Sequence, residues 1–169
     1  MSEKKLTQIH GHGDVRRLQT RNEIRAPIDT VWDCLTQIEH VRQWWADGQI
    51  GNAVGEPFQL GGDEQLNGSI KLMMQPHIFA FTWHDEPDNA AEPNWIEPLT
   101  QSLVHFDLIQ TAPDLTLLTL IQYAPISGAT GAAAGWHHLF EMLTTYVQTG
   151  TATTTDDRFE VLKVFYQAD

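Results

Sequence analysis

One stretch of this chain leaves few ways to fold. Trp136, Leu139, Phe140, Leu143 and Val147 fall at i, i+3, i+4, i+7 and i+11, with Glu141, Thr144, Thr145 and Gln148 between them. That spacing winds the large apolar side chains onto one face of a helix and the polar ones onto the other. The helix is expected over 129–149, after Pro125-Ile126-Ser127-Gly128 and ending at Gly150. A stripe with two large aromatic rings needs a wide apolar surface to cover it.

Short strands supply that surface. Val15–Arg25 reads as a first strand with one wet face, broken by Ala26-Pro27. Pro27 suits the first helical position, and Ile28, Val31, Trp32 and Leu35 then share one face of a short helix. A second helical piece, Glu39–Trp45, carries Val41, Trp44 and Trp45. Beyond Asp47-Gly48 the period changes to two. Val54–Leu60 alternates loosely, Gly61-Gly62-Asp63 marks a turn, and Gly68–Gln75 places Ile70, Leu72 and Met74 on one face. Pro76 ends that strand. Ile78–His84 follows, with Phe79, Phe81 and Trp83 in phase. Asp85–Pro98, with three prolines and five acidic residues, is expected as a long loop at a sheet edge. Strands over Gln101–Gln110 and Leu115–Tyr123, linked through Pro113-Asp114, complete an antiparallel meander.

The ends read differently from the middle. Residues 1–14 are polar and hold Gly11 and Gly13, so a flexible tail is expected. One domain then spans 15–150, and 151–169 is a linker (TATTTDD) with a short helix placing Phe159, Leu162 and Tyr166 on one side. Its apolar face has to be covered, by its own sheet edge in the favoured reading or by a second copy in the other. A monomer or a homodimer fits accordingly. With 41% hydrophobic and 19% charged residues, the 169-residue chain can bury a core.

Charge and cysteine content narrow the partners. The net charge of -12 repels phosphates, and the acidic excess reads as spread along the chain without a Lys/Arg cluster, so no nucleic-acid partner is expected. No apolar run reaches the ~20 residues of a membrane-spanning helix, and the N-terminus has no apolar core of a secretory signal. A single cysteine, Cys34, excludes an intrachain disulfide and suits the cytoplasm. His10-Gly11-His12 offers two ligands on a tail, and His137-His138 point about 100° apart, so no metal site is expected. No phosphate-binding glycine motif is present, and no cofactor is expected.

The order of elements resembles a known family. The Ala26-Pro27…Val31-Trp32 opening, the Phe81-Thr82-Trp83 strand end and the Gly135-Trp136 helix start are similar to those of the START-like (SRPBCC) superfamily. Within it they resemble the branch named after the activator of heat-shock-protein ATPase. The resemblance covers roughly residues 18–150. It implies an α+β helix-grip fold, a curved antiparallel sheet around the long C-terminal helix with a cavity between them. It also implies binding of lipids, polyketides or other hydrophobic molecules, with a minority of members acting as cyclases or dehydratases.

Three functions follow as expectations. The first is binding of a small hydrophobic or amphipathic ligand, lined by Trp44, Phe58, Met74, Phe81, Trp83, Phe106, Tyr123, Trp136 and Phe140. The second is a chaperone-interaction module, an acidic surface meeting a basic patch. The third is an enzyme using His84 or His105 with Glu56, Asp107 or Tyr123 nearby. No nucleophile motif accompanies those residues, and Cys34 within the first helix reads as an inert buried thiol, so no catalytic set is expected.

Overall fold

A computed structural model of the chain describes residues 3–61, 66–83 and 103–168. The expected turn at Gly62-Asp63, His84 and the Asp85–Pro98 loop lie outside them. The strands are β1 (Thr7–His12), β2 (Val15–Ile24), β3 (Gly48–Ile50), β4 (Pro57–Leu60), β5 (Leu66–Met74), β6 (Ile78–Thr82), β7 (Leu103–Ala112) and β8 (Leu115–Pro125). The helices are α1 (Ile28–Thr36), α2 (Ile38–Trp44), α3 (Ile126–Thr149) and α4 (Arg158–Gln167). All eight strands pair antiparallel in the order β1-β2-β8-β7-β6-β5-β4-β3. The sheet grips α3, which lies over β1, β2 and β8, while α1 and α2 pack against α3 and against β7, β8 and β3. This is the helix-grip α+β fold.

The α3 stripe behaves as its spacing requires. Trp136, Phe140 and Leu143 are buried, and Leu139 and Val147 pack partly buried at the margin of the core. The helix starts at Ile126, three residues earlier than expected. Pro125 ends β8, and the Ile126 N–H is accepted by the Asp14 carbonyl at 3.3 Å. Gly150 stops the helix at φ 81°, with its N–H on the Tyr146 carbonyl at 2.7 Å. Pro27, expected inside α1, is instead its N-cap, extended at φ -61° and ψ 152°. The Ile28 N–H, one of the donors without a partner inside the helix, is taken by Gln110 Oε1 from β7 at 3.1 Å.

Two further expectations change. Residues 1–14 are not simply a tail, because Thr7–His12 forms the edge strand β1 beside β2. Thr7 is 1% exposed: its Oγ1 meets Thr20 Oγ1 at 2.8 Å and donates to the Ala133 carbonyl at 3.2 Å. A polar segment is held here by hydrogen bonds, which leave no hydrophobic period to read. On β5, Ile70, Leu72 and Met74 do not share a face. The ladder to β6 runs Ile70↔Phe81 and then Leu72↔Ala80, so Lys71 is a bulge that shifts the phase by one residue. Ile70 and Met73 therefore face the core, while Leu72 and Met74 stay exposed. Gly68 is required where β5 approaches β6, since a Cβ there would sit 1.7 Å from the Thr82 carbonyl oxygen.

The C-terminal segment packs on its own chain. Leu162 and Tyr166 are buried between α4 and α3, and the Tyr166 hydroxyl accepts the Thr7 N–H of the edge strand at 3.0 Å. Phe159, expected on the same side, is 37% exposed with the Lys163 ammonium over its ring.

Candidate functional site

Beneath α3 the inward rows of β4, β6 and β7 bring rings together. Phe58 and Phe81 stack with centroids 3.9 Å apart, Phe79 and Phe106 flank Phe81, and Phe106 stacks on Phe140 of α3. The hub is Trp45, at the C-cap of α2. Its ring touches Trp44, Phe58, Phe81, Trp83 and Trp136 at centroid distances of 5.4–6.3 Å, all tilted or edge-on. Trp83 in turn meets Trp136 edge-on at 5.8 Å. Trp45 and Trp83 are only partly buried, so the outer side of this cluster reaches the surface, whereas Phe58, Phe81, Phe106 and Phe140 are sealed. Aromatic rings in mutual contact thus occupy the space that the sequence reading left open.

Of the residues expected to line it, Phe58, Phe81, Trp83, Phe106, Trp136 and Phe140 come together. Trp44 is adjacent but turned away: it is 3% exposed and its Nε1–H donates to the Cys34 carbonyl at 2.9 Å, which ties α2 to α1. Met74 points outward, 55% exposed, because of the Lys71 bulge. Tyr123 is also on the outer face, since Leu118, Leu120 and Gln122 hold the inward phase of β8. Trp45 and Gln122 were missed. The signal for Gln122 was its two-residue spacing from Leu118 and Leu120; for Trp45, its place one step around the helix from Trp44.

Gln122 is the polar residue of this wall. It is 8% exposed, and its Oε1 accepts the Trp136 Nε1–H at 2.6 Å. An indole N–H can only donate, so this contact fixes the orientation of the amide: oxygen toward Trp136, nitrogen away from it.

A neighbouring face of α3, turned about 100° from the aromatic one, holds a polar seam. His137, 2% exposed, meets the Tyr166 hydroxyl through Nδ1 at 2.9 Å and Glu141 through Nε2 at 3.3 Å. One chain of contacts runs from the Thr7 N–H through Tyr166 and His137 to Glu141. Arg158 closes it, donating from Nε to Glu141 at 2.8 Å and from Nη2 to both Glu141 and Glu3. Burial by itself would raise the Glu141 carboxyl, but the hydrogen bonds from Arg158 and His137 and their charges hold it at about 2. Burial also raises the Tyr166 hydroxyl above its ordinary value. Glu3, His137 and Glu141 offer ligand atoms within 4.8 Å of one another, a set that could hold a metal ion. The Arg158 guanidinium already pairs with both carboxylates, which makes the cluster a structural ion-pair network.

The remaining titratable groups assemble no dry acid–base pair among the described residues. His105 and Asp107 meet at 3.1 Å on the outer face of β7, with side chains 32% and 41% exposed. Glu56 accepts the Asn52 N–H through Oε2 at 2.6 Å within its own loop. The Cys34 thiol is pushed up to about 11, by burial first and by Asp33 second, which makes it a poor nucleophile. A depression of about 570 Å³ opens between Asn22, Thr144, Arg158 and the threonines of 153–155, and none of the aromatic cluster lines it. No helix among the described residues is long and apolar enough to cross a membrane.

Solved structures share this arrangement. A conserved protein of unknown function from Enterococcus faecalis matches with a TM-score of 0.71 and 21% identity over 95% of this chain and 88% of its own. CalU16 from Micromonospora echinospora matches with a TM-score of 0.70 and 18% identity over 96% of each chain. The Aha1 dimer from Colwellia psychrerythraea gives 0.59 and 16% over 79% of this chain and 97% of that one. At these identities the likeness establishes the fold. No curated protein sequence matches the chain. Residues 25–148 match the family described as "Activator of Hsp90 ATPase homolog 1-like protein", and the span runs from the end of β2 to the last turn of α3. With most of its length inside that match, the chain belongs to this family, a branch of the START-like superfamily.

Proposed function

We propose that this protein binds a small apolar or amphipathic molecule between the sheet and α3, against Trp45, Trp83 and Trp136. The carrying observation is Trp45, a ring that touches five others yet remains partly exposed at the end of a helix. Its contacts are tilted and edge-on, so the ring is held by area and not by directional bonds. An apolar ligand replaces that area when the ring swings outward, and the polar seam on the neighbouring face of α3 holds the frame meanwhile. Catalysis has less support, because the described acid–base groups lie on the outer face or in loops. A reducing compartment such as the cytoplasm suits the single buried thiol.

Titration with N-phenyl-1-naphthylamine, an uncharged apolar fluorophore, tests this. The expected result is saturable one-to-one enhancement of probe fluorescence with quenching of tryptophan emission. Linear, unsaturable enhancement sinks the proposal. Native mass spectrometry of the freshly purified protein then identifies what it carries.

A second reading, contact with a chaperone, draws on the family description and on one correction. The charge is segregated: Lys4, Lys5, Arg16, Arg17, Arg21 and Arg25 are six of the ten basic residues, whereas only three of the 22 acidic ones precede residue 26. Arg17 and Arg21 alternate with buried Leu18 and Thr20, so they face outward from β2. The surface suited to a macromolecule is thus a basic strip for an acidic partner, the reverse of the acidic face expected from net charge. Pull-down on an Hsp90-type bait, compared with Arg17→Glu/Arg21→Glu, tests it, and equal capture of both proteins counts against it.

A further inference from the structure

We propose that the free edge of β1 is a docking site for an extended acidic peptide segment, which adds to the eight-stranded sheet as one strand more. The proposal is independent of the apolar site. It shares the basic strip of the second reading without needing a chaperone as the partner. β1 and β3 are the two edges of the sheet. β3 is three residues long, and so short an edge limits pairing with another chain. β1 is six residues long and runs opposite β2 from Thr7 to His12 without a register shift. It holds no proline, no lysine and no bulge, the features that commonly block an edge.

Two bonds fix which way its backbone groups point. The Arg21 N–H donates to the Leu6 carbonyl at 3.0 Å, so Leu6 is turned to β2, and by alternation Gln8 and His10 are too. The Thr7 N–H points the other way and donates to the Tyr166 hydroxyl at 3.0 Å. Ile9 and Gly11 share that outward phase, and among the described residues nothing pairs with their outward N–H and carbonyl groups. Tyr166 thus closes one end of the edge, and the open part begins at Ile9. The strand is also held in place beforehand: Thr7 bonds to Thr20 and to the Ala133 carbonyl, and Ile9 packs on the core.

Charge selects the guest. Residues 1–25 hold six of the ten basic residues and three of the 22 acidic ones. His10 is exposed and stands across from Arg17, which with Arg21 faces outward from β2. A carboxylate on the same face of an added strand lies about 5 Å from β1 and about 10 Å from β2, within reach of these side chains. A second copy of the chain would instead bring its own basic strip to the seam, and like charges oppose that pairing.

Fluorescence anisotropy with a rhodamine-labelled peptide of alternating glutamate and valine tests the proposal, beside the same peptide with lysine in place of glutamate. The glutamate peptide is expected to bind saturably and about tenfold more tightly than the lysine one. Gly11→Pro removes one outward N–H and keeps the β2 ladder; the added carbon meets nothing nearer than the Arg16 guanidinium at 3.8 Å. It should weaken the glutamate peptide about fivefold or more, with the naphthyl probe bound as before. Amide hydrogen exchange on the unaltered protein decides the matter even if that variant folds poorly. Near saturation with the glutamate peptide, the Ile9 and Gly11 amides should exchange about tenfold more slowly. Binding that leaves both amides unprotected overturns the proposal, since charge alone then holds the peptide. Equal affinity for the two peptides, or no binding of either, overturns it as well. Protection that rises with protein concentration in the absence of peptide overturns it too, and makes the edge a seam between copies.

Discussion

The two faces of α3 are both buried, and they are built from opposite materials. Trp136 and Phe140 look toward rings, where contacts are many and non-directional. His137 and Glu141, each one residue further along, look toward β1 and α4, where the bonds form a closed chain from Thr7 to Arg158. A polar group whose bonds are all taken can only hold structure. Rings held by non-directional contact, and reaching the surface, can make room for a guest. The contrast separates the frame of this protein from its candidate site more clearly than burial does, since Trp136 and His137 are equally buried.

The contrast can be broken or sharpened by substitution. The largest effect is expected at the ring stack: Phe81→Ala, at a fully buried position against Phe58 and Phe106, costs about 3–5 kcal/mol in urea unfolding. In the seam, Tyr166→Phe leaves the Thr7 N–H and His137 Nδ1 unpaired and costs about 1–3 kcal/mol, with affinity for the naphthyl probe unchanged. Weakened probe binding in that variant, without a matching loss of fold, would erase the division between frame and site.

Acid titration gives the next effect. Glu141 titrates at about 2 in the folded chain against an ordinary 4.5, so its stabilisation is fully present above about pH 4.5 and is lost as pH falls toward 2. Because the side chain is about a third exposed, solvent screening reduces the effect to about 1–2 kcal/mol. Urea midpoints of wild type and Glu141→Gln should differ at pH 7 and converge near pH 2; a constant gap would show that the ion pair is not the source. The smallest cost is expected at Trp45→Ala, about 1–2 kcal/mol for a partly buried ring. Probe affinity should rise there, because the ring filling the guest's place is gone. A fall in affinity would make Trp45 a wall instead of an occupant.

Much of the frame was legible because it depends on period. The α3 stripe, the in-phase Phe79, Phe81 and Trp83, and the α1 face of Ile28, Val31, Trp32 and Leu35 repeat at intervals that local geometry imposes. What failed to read did so where period is broken or ambiguous. The Lys71 bulge reverses the face of Met74, and nothing in KLMM announces it. β8 reads LTLLTLIQY, with apolar residues in both phases, so Tyr123 and Gln122 exchange roles depending on which phase faces α3. Trp44 and Trp45 are adjacent, and only the packing of α2 on α1 decides which is a tie and which a hub. β1 carries no stripe at all, yet hydrogen bonds from Thr7 to α3 and α4 fix it in place.

The chain's own text dictates a helix that has to be covered and a sheet with one apolar side. These follow from side-chain spacing and composition, which act locally and add up along the chain. Only the packed chain places Gln122 inward with its amide oxygen on Trp136, and closes His137 between Tyr166 and Glu141. Hydrogen-bond saturation depends on partners more than a dozen residues away in the chain, and on which side of a strand they meet, so no reading along the chain could supply it.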